Sequence, residues 1–209
     1  MPRRWARGES ETVLRKTQKI AARHKAAAAK PKQQAIPAER PGAWHLARTE
    51  TEKRLSDFEF RLERLAQAYY RWKAACLAAV CDVPLTGDDV AVLNVVRMGD
   101  EPKRLSEVGQ LLNRVDVPNL QYATRKLVRA GLIETEGSSS RKETRYRATE
   151  QGRAVTEAYA ALRGTTLPPM LDALDGWAAN LETTSVQMDL LASLYGQAAQ
   201  VAITKRHQP

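Results

Sequence analysis

From Leu55 onward the apolar positions fall into register. Leu55, Phe58, Leu62, Leu65, Tyr69, Trp72 and Cys76 recur at alternating steps of three and four, with Arg and Glu on the other faces. This spacing predicts one long amphipathic helix over about 53–81, lying N-terminal to whatever domain follows. Asp82-Val83-Pro84-Leu85 ends it. Thr86, with Asp89 three residues on, forms an acidic variant of the capping box and opens a second helix with Val90, Leu93 and Val96 as its inner stripe. Gly99-Asp100-Glu101-Pro102 stops that helix, and Lys103-Arg104-Leu105 is long enough for a short strand.

Two more helical stripes then follow with almost nothing between them. Val108, Leu111 and Leu112 mark the first, and Leu120, Ala123 and Leu127 the second. Between them Asn113 to Val117 breaks the pattern, and Pro118 suits the first turn of a new helix because it has no N–H to satisfy. Asp116 or Val117 is then the N-cap, and Gly131, after Lys126 and Arg129, is the stop. Helix, short turn, helix, stop is a helix-turn-helix pattern. Leu132 to Glu136 and Thr144 to Ala148 are β-type runs flanking Gly137-Ser138-Ser139-Ser140-Arg141-Lys142-Glu143, which has hairpin-loop composition. A basic hairpin in this place is a wing.

Thr149 caps a further helix, with Val155, Ala158, Tyr159 and Leu162 inside, running to about Arg163. Gly164 to Leu167 reads as an interruption, and Pro168-Pro169 as a new start. The last stretch carries Leu171, Leu174, Ala178 and Leu181, then Met188, Leu191, Tyr195 and Ala198, with Thr183-Thr184-Ser185 as a break and cap between two helices. So much apolar helix cannot be covered by one small winged domain. A homodimer in which the first and last helices pair is the expected solution. The fold class is therefore mainly α: a winged helix-turn-helix with a small β wing and long N- and C-terminal dimerisation helices.

Charge sharpens this division. Residues 1–50 hold twelve Lys/Arg against four Asp/Glu, while 51–209 hold 21 against 20. The tail, rich in Ala, Lys, Arg, Gln and Pro, has Val13, Leu14 and Ile20 as its only stripe and is expected to be disordered. The expected organisation is a basic tail over 1–50 and a winged-helix domain over 51–209, with a DNA-reading core at 86–153 and dimerisation helices at 53–81 and 154–204. Inside the folded part the basic excess peaks at 97–153, with twelve basic and eight acidic residues. That favours a polyanion, and duplex DNA over a membrane, since no basic amphipathic surface helix accompanies it. Two cysteines make no disulfide framework and no metal spacing, and fit a reducing cytosol. No secretory leader and no run of about eighteen apolar residues is found, so a cytoplasmic, nucleoid-associated protein is expected.

On a helical wheel the second helix of the motif turns Gln121, Tyr122, Arg125 and Arg129 away from the buried stripe. Its N-terminal half is the part that reaches base edges, so Asn119, Gln121, Tyr122 and Arg125 are candidate readers. Asn or Gln suits an adenine edge and Arg a guanine edge, while Tyr122 can pack on a thymine methyl or bond a phosphate. Lys126 and Arg129 are candidate phosphate holders. Arg141, Lys142, Arg145 and Arg147 sit on the hairpin; strand alternation puts Arg145 and Arg147 on one face with Thr149, where they can grip backbone while the tip enters the minor groove. Tyr69, Tyr70 and Trp72 are candidates to line an effector pocket, and Cys76 and Cys81 for redox control, although core aromatics and inert thiols are the commoner outcome for such residues. His24, His45 and His207 all lie outside the folded core, so no Cys-His or Ser-His constellation, metal site or cofactor is implied, and no enzyme is expected.

LTGDDVAVLNVV, then LSEVGQLLNRVDVPNLQYATRKLVRAGLIE, then the hairpin and RATEQGRAV resemble the winged-helix core of MarR-type bacterial transcription regulators over residues 55 to about 204. KLVRAGLIE and ATEQGR are the most specific parts. LLNRVDVPNLQY and SLYGQAA are further similar to the LdtR-like branch of alphaproteobacterial regulators associated with cell-envelope stress. The resemblance implies a homodimer on a pseudo-palindromic operator, under the control of a small ligand or of thiol oxidation. The family's wing often carries Asp-x-Arg; here the matching stretch is Ser140-Arg141-Lys142, without the acid that would orient the cation. Two rival readings stand beside this one: an architectural or nonspecific DNA-binding protein driven by the tail, and a winged helix used for protein-protein contacts.

Overall fold

The computed structural model describes residues 45–137, 144–174 and 176–206. The tail up to residue 44, with its expected disorder, and the hairpin tip with Arg141 and Lys142 lie outside the described residues. Two compact units divide the chain after Ser56. In the first, the Thr49 hydroxyl accepts the Glu52 N–H at 3.2 Å while the Glu52 carboxylate accepts the N–H groups of Arg48 and Thr49, each at 2.8 Å. This reciprocal cap starts helix α1 (Glu50–Ala78), a turn earlier than the apolar spacing suggests.

The rest of the chain forms the second unit. It continues α1 and adds α2 (Gly87–Arg97), β1 (Lys103–Arg104), α3 (Leu105–Leu111), α4 (Val117–Arg129), β2 (Ile133–Glu136), β3 (Arg145–Ala148), α5 (Glu150–Asp172) and α6 (Trp177–Arg206). The three strands make one antiparallel sheet in the order β1-β3-β2. Lys103 stands opposite Tyr146, Ile133 opposite Ala148 and Glu136 opposite Arg145.

Val90, Leu93 and Val96 of α2 are fully buried, as their spacing requires, and meet Val108 of α3, Leu120 and Leu127 of α4, Ile133 of β2 and Tyr159 of α5. Cys76 and Leu77 carry the end of α1 into the same core, and Trp72 packs against it. The core therefore lies directly behind the helix-turn-helix. Gly131 takes φ +69°, the left-handed conformation that lets the chain leave α4 and enter β2 within two residues. Leu111, expected inside, is exposed because α3 ends there, while Leu112, also expected inside, packs on the core.

Two expected breaks do not exist. Helix α5 runs through Gly164 and through Pro168-Pro169 to Asp172. In its outer part Thr165 and Thr166 turn their hydroxyls back onto the carbonyls of Ala161 and Leu162, at 3.2 and 2.5 Å. Helix α6 likewise continues through Thr183-Thr184-Ser185, where the hydroxyls of Thr184 and Ser185 bond the carbonyls of Asn180 and Leu181 at 2.8 Å each. Hydroxyls placed this way satisfy themselves on the preceding turn and cap nothing. The real boundary is four residues long, between Asp172 and Trp177, with Gly176 at φ +68°.

Candidate nucleic-acid interface

Helix α4 starts with Pro118 in its first turn, after Asp116 at the N-cap position. Its inner face buries Leu120, Ala123 and Leu127, and also Thr124, whose hydroxyl is satisfied by the Leu120 and Gln121 carbonyls at 3.0 and 3.1 Å. Four anchors leave one face outward. Asn119, Tyr122, Arg125 and Arg129 are exposed along it, Tyr122 by 61%, and Gln121 lies half-buried at its flank.

Lys126 does not join that face. Its ammonium reaches back to Asp89 at 2.7 Å. Asp89 is only 3% exposed, and the same carboxylate oxygen accepts the Thr86 N–H at 2.8 Å and the Thr86 hydroxyl at 3.0 Å. One acid thus caps α2 and ties α4 to it. An ammonium whose charge is offset inside the protein is poorly placed to hold a phosphate.

The turn before α4 has a second ion network, which residue-by-residue reading of the sequence did not single out. Arg114 grips Asp116 through Nε at 2.9 Å and a terminal nitrogen at 2.7 Å, and its other terminal nitrogen lies 3.3 Å from Asp88 at the start of α2. Asn119 donates its amide to the same Asp116 at 2.9 Å. Bonds from Arg114 and then Asn119 hold the Asp116 carboxyl well below the usual carboxylate range, so it is charged at any physiological pH. The Arg-x-Asp spacing was the only local signal for this clamp.

On the sheet, Arg145 donates to the Pro102 carbonyl at 3.0 Å, which steadies its guanidinium without cancelling the charge. Arg147 is paired with Glu134, its cross-strand neighbour, at 2.8 Å. Lys103 turns inward and donates to the carbonyls of Met98 and, at 3.0 Å, Glu101, closing the end of α2.

Elsewhere, α1, α2 and α5 surround a cleft of about 500 Å³ lined by Tyr69, Asn94, Arg97, Thr156, Tyr159 and Arg163 among others. Of the aromatic effector candidates, Tyr69 lines this cleft and Trp72 belongs to the core. The Lys73 ammonium, 4% exposed as a residue, stands 4.5 and 4.0 Å from the ring centres of Tyr69 and Tyr70, and burial lowers its pKa. Cys76 is buried with its sulfur 3.9 Å from the Tyr159 carbonyl, and burial pushes its thiol pKa up, away from the reactive thiolate; Cys81 is partly buried. Among the described residues no acid, His and Cys cluster can hold a metal ion, and no helix is long and apolar enough to cross a membrane.

Anchored helix, tight turn and three-stranded wing define a winged helix-turn-helix, and residues 85–152 match the family described as winged helix DNA-binding domain. The wider fold is shared with MarR-type regulators. AbfR of Staphylococcus epidermidis, solved in its reduced form bound to DNA, is 18% identical with a TM-score of 0.56 over 71% of this chain and 98% of that one. A mutant of E. coli MarR complexed with operator DNA is 20% identical with a TM-score of 0.54 over 67% and 99%. A MarR family transcriptional regulator from Streptomyces coelicolor is 20% identical with a TM-score of 0.51 over 70% and 96%. At these identities the likeness is one of fold. No curated protein matches the sequence.

Proposed function

We propose that this chain is a MarR-type transcription regulator that binds duplex DNA sequence-specifically as a homodimer. The observation that carries this is α4: a helix locked from behind by four buried residues and the Lys126–Asp89 pair, presenting Asn119, Tyr122, Arg125 and Arg129 on one open face. In this reading Arg125 pairs bidentately with a guanine edge, and Asn119, with Gln121 beside it, reads adenine. Tyr122 packs on a thymine methyl, Arg129 and Arg145 hold phosphates, and Arg141 and Lys142 carry the hairpin tip toward the minor groove. Lys126 is left out of the DNA contacts because Asp89 holds it.

The second copy is supported by what one chain leaves uncovered. Leu62 and Leu65 of α1 are exposed, and so are Leu181, Met188, Leu190 and Leu194 of α6. No residue of α6 whose side chain is described is buried. A thirty-residue helix with that surface needs a partner, and a two-fold pairing of the segments 53–81 and 154–204 provides one. It would set two copies of α4 in successive major grooves roughly 34 Å apart, on a pseudo-palindromic operator. The cleft beside Tyr69 is the place for a small effector, with Cys76 and Cys81 as structural thiols. The protein acts by binding, without a catalytic step, on the nucleoid in the cytoplasm.

Arg125→Ala tests the reading. It is expected to cost about 1 to 3 kcal/mol on the operator and to relax preference at one base pair per half-site, while binding to random duplex stays nearly level. Competition titrations of both DNAs measure it. Equal losses on the two would mean that α4 is not the reader.

A further inference from the structure

The hydrogen bonds at the start of α4 say how Asn119 is presented, and their use here rests on the reading of α4 as the DNA-contacting helix. Asp116 accepts from Asn119 Nδ2 at 2.9 Å and from two nitrogens of Arg114 at 2.9 and 2.7 Å. A carboxylate can only accept. Turning the Asn119 amide over would set its oxygen against that carboxylate, replacing a hydrogen bond by the repulsion of two acceptors. The orientation of the amide is therefore settled before any DNA arrives. One N–H is spent on Asp116, and Oδ1 and the second N–H remain.

We propose that Asp116, clamped by Arg114, is a positioning residue that fixes the Asn119 amide, so that Asn119 offers one acceptor and one donor in a set order and discriminates adenine from guanine at one base pair of each half-site. Adenine shows the complementary pair in the major groove, the N6 donor beside the N7 acceptor. Guanine shows two acceptors there, which would leave Asn119 Oδ1 facing another oxygen. Arg114 also reaches Asp88, so the clamp is anchored in α2 and shares the rigidity of the scaffold that a reading group needs. It also offsets the Asp116 charge, which would otherwise repel nearby phosphates. Asp116 itself makes no side-chain cap bond to α4, so Asp116→Asn removes the orienting charge without removing a helix cap.

The test is selection from a randomised duplex library by the full-length chain, by Asn119→Ala, by Asp116→Asn and by the double variant, each checked by thermal melting. The wild type is expected to select a consensus with an A·T pair in each half-site. Asn119→Ala and Asp116→Asn should each lose about tenfold of the preference at that same pair and keep it elsewhere. The double variant should lose no more than Asn119→Ala alone, as for two groups acting through one contact. Preference left whole at that pair by Asp116→Asn, loss spread evenly over all positions, or an Asn119→Ala effect at a G·C pair overturns the positioning role. A wild type that selects no consensus takes down both this proposal and the reading of α4, whereas a consensus untouched by Asp116→Asn takes down this proposal alone. Should Asp116→Asn melt early, Asp116→Ala, which leaves the Asn119 amide no carboxylate to bond and removes no side-chain cap, makes the same comparison.

Discussion

Gly152→Ala is expected to destabilise the protein by about 3 kcal/mol or more, at the upper end of what overpacking costs, because the site has no means of giving way. A Cβ added at Gly152 would stand 1.9 Å from the Leu132 carbonyl oxygen and 2.9 Å from its carbon. These are backbone atoms at the junction of α4 and β2, and two bonds hold that junction to Thr149, the cap of α5. The Thr149 N–H donates to the Leu132 carbonyl at 3.1 Å and the Thr149 hydroxyl donates to the Gly131 carbonyl at 2.6 Å, while that hydroxyl also caps α5 by accepting the Gly152 N–H at 3.0 Å. Moving α5 away to admit a methyl group would break both bonds to the junction together. Urea denaturation followed by circular dichroism measures the change. A loss under about 0.5 kcal/mol, the size of an ordinary surface substitution, would mean that α5 does not start against Leu132.

Asp89→Ala should cost about 3 kcal/mol, combining a lost helix cap of about 1 kcal/mol with the release of a largely buried ammonium partner. Asp89 closes the cap of α2 at Thr86 and holds Lys126 of α4 at 2.7 Å. Asp89→Asn keeps an acceptor for the cap and loses only the ion pair, so it should fall between the wild type and Asp89→Ala in the same denaturation experiment. If Lys126→Met in the Asp89→Ala background recovers none of the loss, the stranded ammonium is not the cause.

What could be read in the chain follows from how far each determinant reaches. The helix starts at Thr86 and Thr149 are set by residues within three positions, and the stop at Gly131 by the conformation of that one residue, so local pattern was sufficient. The face of α4 followed from its period, with Thr124 missed because a hydroxyl can be satisfied by its own helix. The false breaks in α5 and α6 have the same origin: Thr165, Thr166, Thr184 and Ser185 bond back to their own helix, a choice that residue type does not settle. Beyond local range the sequence says little. Lys126 and Asp89 are 37 positions apart and Arg114 and Asp88 are 26, so the locks of the motif emerge only when α2 lies against α4. Gly87 is another such case. A Cβ there would meet the Tyr70 carbonyl oxygen at 2.6 Å, a close approach of α1 to α2 that no spacing rule announces.

The central claim is that the winged helix, and not the charge of the tail, chooses the DNA. Twelve of the 33 basic residues lie in residues 1–50, enough to bind any duplex by counterion release. The decisive measurement is binding against salt for the full-length protein and for a chain beginning at Thr49, on the promoter fragment of its own gene and on random duplex of equal length. The shorter chain is predicted to bind both DNAs more weakly, by about the same factor, and still to prefer the promoter fragment at salt that abolishes random binding. Loss of all discrimination in both proteins, with affinity collapsing once the tail is removed, would contradict the account and favour an architectural DNA-binding protein.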